Sequence, residues 1–340
     1  MSVTIKDVAQ KAGVSIATVS RVLNGKDGIS DELEYRVRMA VQELGYHPNL
    51  LAQGLRRLNL NLIGVMIPSQ TDMFFMRLLK GLEDQIQPFG YNILITTTQG
   101  KSELELYYAK VLMQYQVSAI VVAPGPEKSL LSDILKCTEI PVIAVNEALE
   151  GINADSVFHD NVSGARTLVD HLASLGHEKI AFLSGRDNMV TAQKRLEGYL
   201  QGLEDHALHY EPDLVQPSEF SISGGLNATR RLLDTVHDVT AIIAGNNQAG
   251  IGCLFALKER GICLPGDMSL ALFGDLDYSE LLSPPVTALQ DMSYKMGREA
   301  GRLVLRRLSK DDDSRGEVER VRLKPKLIVR GSTAPIGQVL

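Results

Sequence analysis

Thr4-Ile5-Lys6-Asp7-Val8-Ala9-Gln10-Lys11-Ala12-Gly13-Val14-Ser15-Ile16-Ala17-Thr18-Val19-Ser20-Arg21-Val22-Leu23-Asn24 reads as helix, tight turn, helix. Thr4 is placed to cap the first helix, with Asp7 three residues on to close a capping box. Val8 and Ala9 supply the inward face. Gly13 stands where the chain needs a positive φ just past a helix end, which a residue without a Cβ adopts freely. Ser15 then caps a second short helix whose Val19, Val22 and Leu23 point inward. Ile16, Ala17, Ser20 and Arg21 are left facing outward near its N-terminal half, where a recognition helix offers side chains to base edges. A third helix is capped by Ser30, carries Asp31 and Glu32 in its first turn and stops at Gly45. Its Leu33, Val37, Ala40, Val41 and Leu44 keep helical spacing and complete a three-helix core.

These motifs, with Leu44-Gly45-Tyr46-His47-Pro48-Asn49 after them, resemble the head of a LacI/GalR-family transcription regulator. The likeness continues through Leu62-Ile63-Gly64-Val65, His159-Asp160-Asn161, Gly176-His177-Glu178-Lys179-Ile180, Arg195-Leu196-Glu197-Gly198-Tyr199 and Leu327-Ile328-Val329-Arg330-Gly331-Ser332, so it spans about the whole chain. The resemblance implies a homodimeric, effector-controlled repressor that binds a pseudo-palindromic operator in double-stranded DNA. Its fold would be an all-α helix-turn-helix head joined to a two-lobed α/β body like a periplasmic binding protein. It also implies a DNA-facing set of Thr4, Ser15, Ile16, Ala17, Thr18, Ser20, Arg21 and Asn24 in the head, with Asn49, Ala52, Leu55 and Arg56 in the linker.

Composition bounds the alternatives. The chain has 340 residues, enough for one small domain and a larger two-lobed one, and its 44% hydrophobic content is that of a globular protein. No signal-peptide pattern and no membrane-length apolar run is present. Cys137, Cys253 and Cys263 lack metal-ligand spacing and suit a reducing cytoplasm. The net charge of −6 argues against a nucleic-acid partner until it is located: residues 1–60 hold eight Lys and Arg against six Asp and Glu. Only that region tolerates phosphates, and its excess is small, so affinity requires two heads together. Neither a P-loop nor a dinucleotide glycine pattern nor a nucleophile turn occurs, so neither an enzyme nor a cofactor is expected. The body alone would also suit a sugar-binding carrier; the attached head and the lack of an export signal count against that.

The domains are read as a head over residues 1–48, a hinge over 49–60 and a body over 61–340. The resemblance divides the body into a first lobe, 61–160 and 292–322, and a second lobe, 163–290 and 323–335. It further implies that the hinge folds when two copies meet in the minor groove, with Leu55 as an apolar wedge and Arg56 and Arg57 beside phosphates. Gly54 stands beside that leucine where the family has Ala or Ser, and weakens such a helix by about 0.5–1 kcal/mol.

From Asn61 onward strands alternate with amphipathic helices. The strands are read at Leu62–Ile67, Tyr91–Thr96, Ala119–Ala123, Val142–Val145, Lys179–Leu183, Thr240–Ala244 and Met268–Phe273. Helices are read at, for example, Met73–Gln87, Ser102–Gln114, Asn161–Leu175, Ala192–Asp205, Gly224–Val236 and Gln248–Arg260. Such alternation predicts parallel sheets covered on both faces, too many units for one sheet, and a ligand between two lobes at the carboxyl ends of the strands.

By position in the family, Arg195 is a ligand contact or a structural ion pair, Asn246 a contact or a helix cap, and Asp160 a hinge or a contact. Phe220 is placed at the cleft edge and Phe74 and Phe75 at the first lobe's lip, each a ligand contact or a core ring, with Phe75 read as core. Gly274 replaces an aspartate the family often carries, which leaves Asp275 as its substitute, and Gln193 stands where a second arginine is frequent. Loss of both charges implies an effector smaller or less polar than a typical sugar, or one held in a shifted pose.

Overall fold

Asp7 folds the first turn of α1 (Ile5–Ala12) onto itself, because its Oδ2 accepts both the Thr4 N–H and the Thr4 hydroxyl at 2.7 Å. Gly13 follows at φ 64°, and the Val14 N–H reaches back to the Ala9 carbonyl, so the chain reverses as expected. The Ser15 hydroxyl accepts the Thr18 N–H at 3.1 Å at the start of α2 (Ile16–Leu23), and Asp31, Glu32 and Glu34 open α3 (Asp31–Leu44). Val8, Ala9, Ala12, Val19, Val22, Val37 and Ala40 form the shared core. Arg36 fastens α3 to the turn by donating to the Ala12 carbonyl at 2.6 Å.

The computed structural model describes residues 4–23, 30–44, 61–125, 128–149, 151–309 and 317–337. The chain divides into two compact units, Met1–Leu60 and Asn61–Leu340. The readings of Asn24 and of hinge residues Asn49, Ala52, Gly54, Leu55, Arg56 and Arg57 lie outside the described residues.

The body contains two six-stranded sheets. The first has the order β11-β5-β4-β3-β1-β2 and is parallel throughout; its strands are β1 (Leu62–Ile67), β2 (Asn92–Thr97), β3 (Ala119–Val122), β4 (Val142–Val145), β5 (Asp155–His159) and β11 (Arg320–Leu323). Helices α4 (Met73–Ile86), α5 (Ser102–Gln114), α6 (Lys128–Leu135) and α11 (Ser293–Leu308) complete this lobe. The second sheet runs β12-β10-β9-β8-β6-β7, with only β12 antiparallel. It holds β6 (Ile180–Ser184), β7 (Val215–Pro217), β8 (Ala241–Ala244), β9 (Ser269–Leu272), β10 (Thr287–Leu289) and β12 (Leu327–Ile328). Around it lie α7 (Asn161–Ser174), α8 (Val190–Asp205), α9 (Ile222–Thr235) and α10 (Asn247–Glu259).

The strands β1, β3, β4, β6, β8 and β9 are almost wholly buried, which is why they read as continuous apolar runs. Each lobe has its own core on both faces of its sheet. The chain crosses between lobes after β5, after β10 and between β11 and β12. Among the described residues, no helix is long and apolar enough to cross a membrane.

Candidate functional site

In the head, α2 presents exposed Ile16, Ala17 and Arg21 and half-buried Thr18 and Ser20. Thr4, Ser15 and Thr18 of the expected contact set take part in capping. Both Thr4 groups go to Asp7, and the Ser15 and Thr18 hydroxyls lie 2.9 Å apart within the cap. Thr4, Ser15 and Thr18 therefore shape the turn that aims α2, while Ile16, Ala17 and Arg21 supply its outer surface.

In the body, a cavity of about 330 Å³ lies between the lobes, at the low end of the range for small-molecule sites. It is lined by the turns that follow β1, β3 and β4 of the first lobe and β6, β8 and β9 of the second, the carboxyl-end position that favours ligands in parallel sheets. Four of its non-glycine wall residues take left-handed φ: Gln99 55°, Asn146 68°, Glu219 55° and Phe220 54°. Backbone held in this region costs of order 1–3 kcal/mol per residue and collects at ligand sites.

A row of rings and one guanidinium crosses the cavity wall. Phe74 meets Phe75 edge-on at 5.1 Å and His159 at 5.9 Å, and His159 meets Phe273 at 6.4 Å and 88°. Arg195 lies 3.8 Å over Phe273 and 5.3 Å from Phe220. Phe220 is wedged between two glycines: a methyl added at Gly185 or Gly245 would stand 2.6 or 2.8 Å from its ring. The fixed aromatic edge thus depends on residues that offer no side chain there.

Arg195 is buried in α8, its Nε donating to the Asn161 Oδ1 at 2.9 Å and its Nη1 to the Gly245 carbonyl at 2.5 Å. Burial pushes the guanidinium down to about 9, so it stays charged at neutral pH. Its hydrogen bonds are to neutral acceptors, with Glu147 near enough to favour its charge. Phe74 and Phe220 line the cavity as expected, and Phe75 lines it as well as joining the core.

Three expected contacts take other work. Asp160 is absent from the cavity wall and caps α7, accepting the Ser163 N–H at 3.3 Å. Asn246 lines the cavity but spends both ends of its amide, Oδ1 on the Ala249 N–H at 2.8 Å and Nδ2 on the Phe220 carbonyl at 3.0 Å. It caps α10 and holds Phe220. Asp275 lines the cavity and is clamped by both terminal nitrogens of Arg330, at 2.8 and 2.7 Å, which ties the last strand region to its lobe.

Other wall residues went unread in the sequence. Asp72 caps α4 through the Phe74 N–H at 3.0 Å; burial raises its carboxyl against the opposing pull of that bond and of Asn247. Glu147 is buried and accepts the Thr191 N–H of α8 at 3.0 Å, which joins the lobes. His159 is buried, and its Nδ1 has no hydrogen-bond partner among the described residues. Burial, with the Arg195 charge adding to it and Asp291 opposing, lowers its pKa to about 4. A histidine ending a strand, followed by a cap aspartate, was the available signal.

Comparison with known proteins gives two matches that divide the chain as the structure does. Residues 4–49 match bacterial regulatory proteins of the lacI family, and residues 61–326 match periplasmic binding proteins and the sugar binding domain of the LacI family. The HTH-type transcriptional regulator DegA of Bacillus subtilis (strain 168) is 32% identical over 99% of this chain and all of its own. A transcriptional regulator CelR–cellobiose complex superposes with a TM-score of 0.74 at 27% identity, covering 97% of this chain and 99% of that one. A lac repressor dimer bound to operator and an anti-inducer has the same fold, with a TM-score of 0.86 at 24% identity over 98% and 100% of the two chains.

Proposed function

The chain belongs to the LacI family of DNA-binding transcriptional regulators, and from that footing we propose how its own residues do the work. It acts in the cytoplasm as a homodimeric repressor, regulating and not catalysing. Two α2 helices enter successive major grooves of a pseudo-palindromic operator, about one helical turn apart. Arg21 donates to a guanine edge, while Ile16 and Ala17 read shape and thymine methyl groups. Leu55 of the hinge wedges the central base step, Arg56 and Arg57 meet phosphates, and Asn49 and Ala52 belong to the same DNA-binding set.

The effector occupies the interlobe cavity. Phe74 and Phe220 offer it apolar faces, Arg195 sets the charge of the wall, and Asn246 and Asp275 hold the wall in shape. The observation that carries this reading is the cavity itself, at the carboxyl ends of two sets of parallel strands and rimmed by strained backbone. Binding of a small molecule there shifts DNA affinity only through its preference for one arrangement of the lobes. The test is a fluorescence-anisotropy titration of inverted-repeat oligonucleotides with a metabolite library present and absent. A lone subunit with no preference for inverted repeats, or operator affinity that no library member moves, would overturn it.

A further inference from the structure

Helix N-termini are the usual anion sites of such a fold, because their free N–H groups and dipole favour negative charge. Three of those that face this cavity are met by the protein's own acceptors. Asp72 accepts at the start of α4, Glu147 at Thr191 at the start of α8, and Asn246 at the start of α10. The wall guanidiniums are engaged as well: Arg186 pairs with Glu219 at 2.9 Å, and Arg195 is turned onto Asn161 and Gly245. The remaining wall carboxylates, Asp275 and Asp291, are held from behind by Arg330 and Arg77. A phosphate entering here would meet carboxylates where it needs donors, and a cationic ligand would meet the buried Arg195.

His159 is the exception to this saturation. The residue is 6% exposed, it lines the cavity, and its Nδ1 is a buried polar atom with no partner among the described residues. It ends the last strand before the chain crosses lobes, and its ring touches Phe74 of the first lobe and Phe273 of the second. A neutral imidazole can donate from one nitrogen and accept at the other. Leaving such a group unsatisfied is unfavourable to the empty protein, which is the pattern of a residue kept for a ligand.

We propose that the cavity selects an uncharged ligand with an apolar face and a hydroxyl or amide edge, rejects phosphate esters, and reads that edge through His159. This rests on the cavity being the effector site. The experiment pairs neutral sugars and nucleosides with their phosphate esters, in thermal-shift and calorimetric titrations of the full chain. A neutral member of at least one pair should raise the melting midpoint, with its ester weaker by about 100-fold or more. His159→Phe keeps the ring and removes both nitrogens; it should weaken the neutral ligand about 10- to 100-fold. The same substitution should raise the unliganded midpoint by about 2–4 °C, and His159→Gln should restore part of the affinity. An ester that binds as well as its parent, or wild-type affinity in His159→Phe, overturns the proposal while leaving the effector cavity intact. Silence across every pair, with operator affinity also unmoved, overturns the effector reading and the proposal with it.

Discussion

A buried histidine makes stability depend on pH in a direction the structure fixes. The folded pKa of His159 lies at about 4, lowered by burial and by Arg195, whereas a free histidine titrates near 6.5. Below that value the unfolded chain takes up a proton that the folded chain refuses. The contribution is therefore complete above pH ~6.5 and lost as pH falls toward the folded value. The gap is worth about 3 kcal/mol. His171 and His177, also lowered by burial, act in the same sense. Urea midpoints measured from neutral pH to about pH 4.5 should accordingly fall less in His159→Phe than in the parent; equal slopes would show that this imidazole carries none of the effect. The His159-Asp160-Asn161 motif was visible in the sequence, but the burial of its histidine was not, for a physical reason. His-Asp-Asn at a strand end reads as a polar turn, and only the folded neighbours Phe74, Phe273 and Arg195 make it a buried group. Asn246 and Asp275 show the converse. Their positions were legible, but their partners, Phe220 and Arg330, come from remote segments that no local pattern announces.

Elements were legible in proportion to how much of their information is local. Helices α1 to α3 carry their own caps and turn glycine, and the buried parallel strands carry their own apolar runs. Strands β5, β7, β10, β11 and β12 and helices α6 and α11 are missing from the stretches named in the sequence. β7, β10 and β12 are two or three residues long and exist only as partners to longer strands. α11 carries Gly297 and Gly301 inside it, which propensity counts against a helix. In the fold, a Cβ at Gly297 would collide with the Leu78 carbonyl, so the glycine is what lets α11 lie against α4. β5 was obscured by Asp155, a carboxylate with no exposure in the middle of a sheet. Burial works to raise that carboxyl, but it is outweighed by hydrogen bonds from Arg307 and the Glu319 N–H and by the two arginine charges, and the net shift is downward. Arg306 reaches it at 3.0 Å and Arg307 at 2.6 Å from the last turn of α11. Asp155→Ala removes the shared carboxylate of two part-buried guanidiniums, leaving Arg306 with Glu319, and should remove about 3 kcal/mol of stability; a loss within error in chemical unfolding would mean that the remaining partners suffice. In the head, Arg21→Ala should weaken the cognate operator by about 1–3 kcal/mol and leave random DNA unchanged. An equal loss on both, measured at one salt concentration, would make Arg21 a phosphate contact.

At the scale of the whole body, the lobes are tied across the cavity by a few polar links, and these decide how readily they part. Arg77 of α4 pairs with Asp277 of the second lobe and with Asp291 at a crossing, the latter at 2.5 Å. Glu147 reaches Thr191 from the other side. The Arg77 links are only partly buried, so solvent discounts them, and each is worth on the order of 1 kcal/mol. That is still enough to matter, because a two-state equilibrium moves tenfold for every 1.4 kcal/mol. Removing Arg77 weakens the arrangement in which both lobes close on a ligand without touching any ring that faces it. Arg77→Ala should therefore lower effector affinity about 5- to 20-fold with little change in the ligand preference order. By linkage, the same factor must reappear in the effector's leverage on operator binding. The double-mutant cycle with Asp277→Ala separates closure from packing, because a true interlobe link gives a double mutant no weaker than the worse single. Additive losses in that cycle would place the effect of Arg77 within its own lobe, and control of the DNA-binding head would then have to run through Glu147 and the crossings instead.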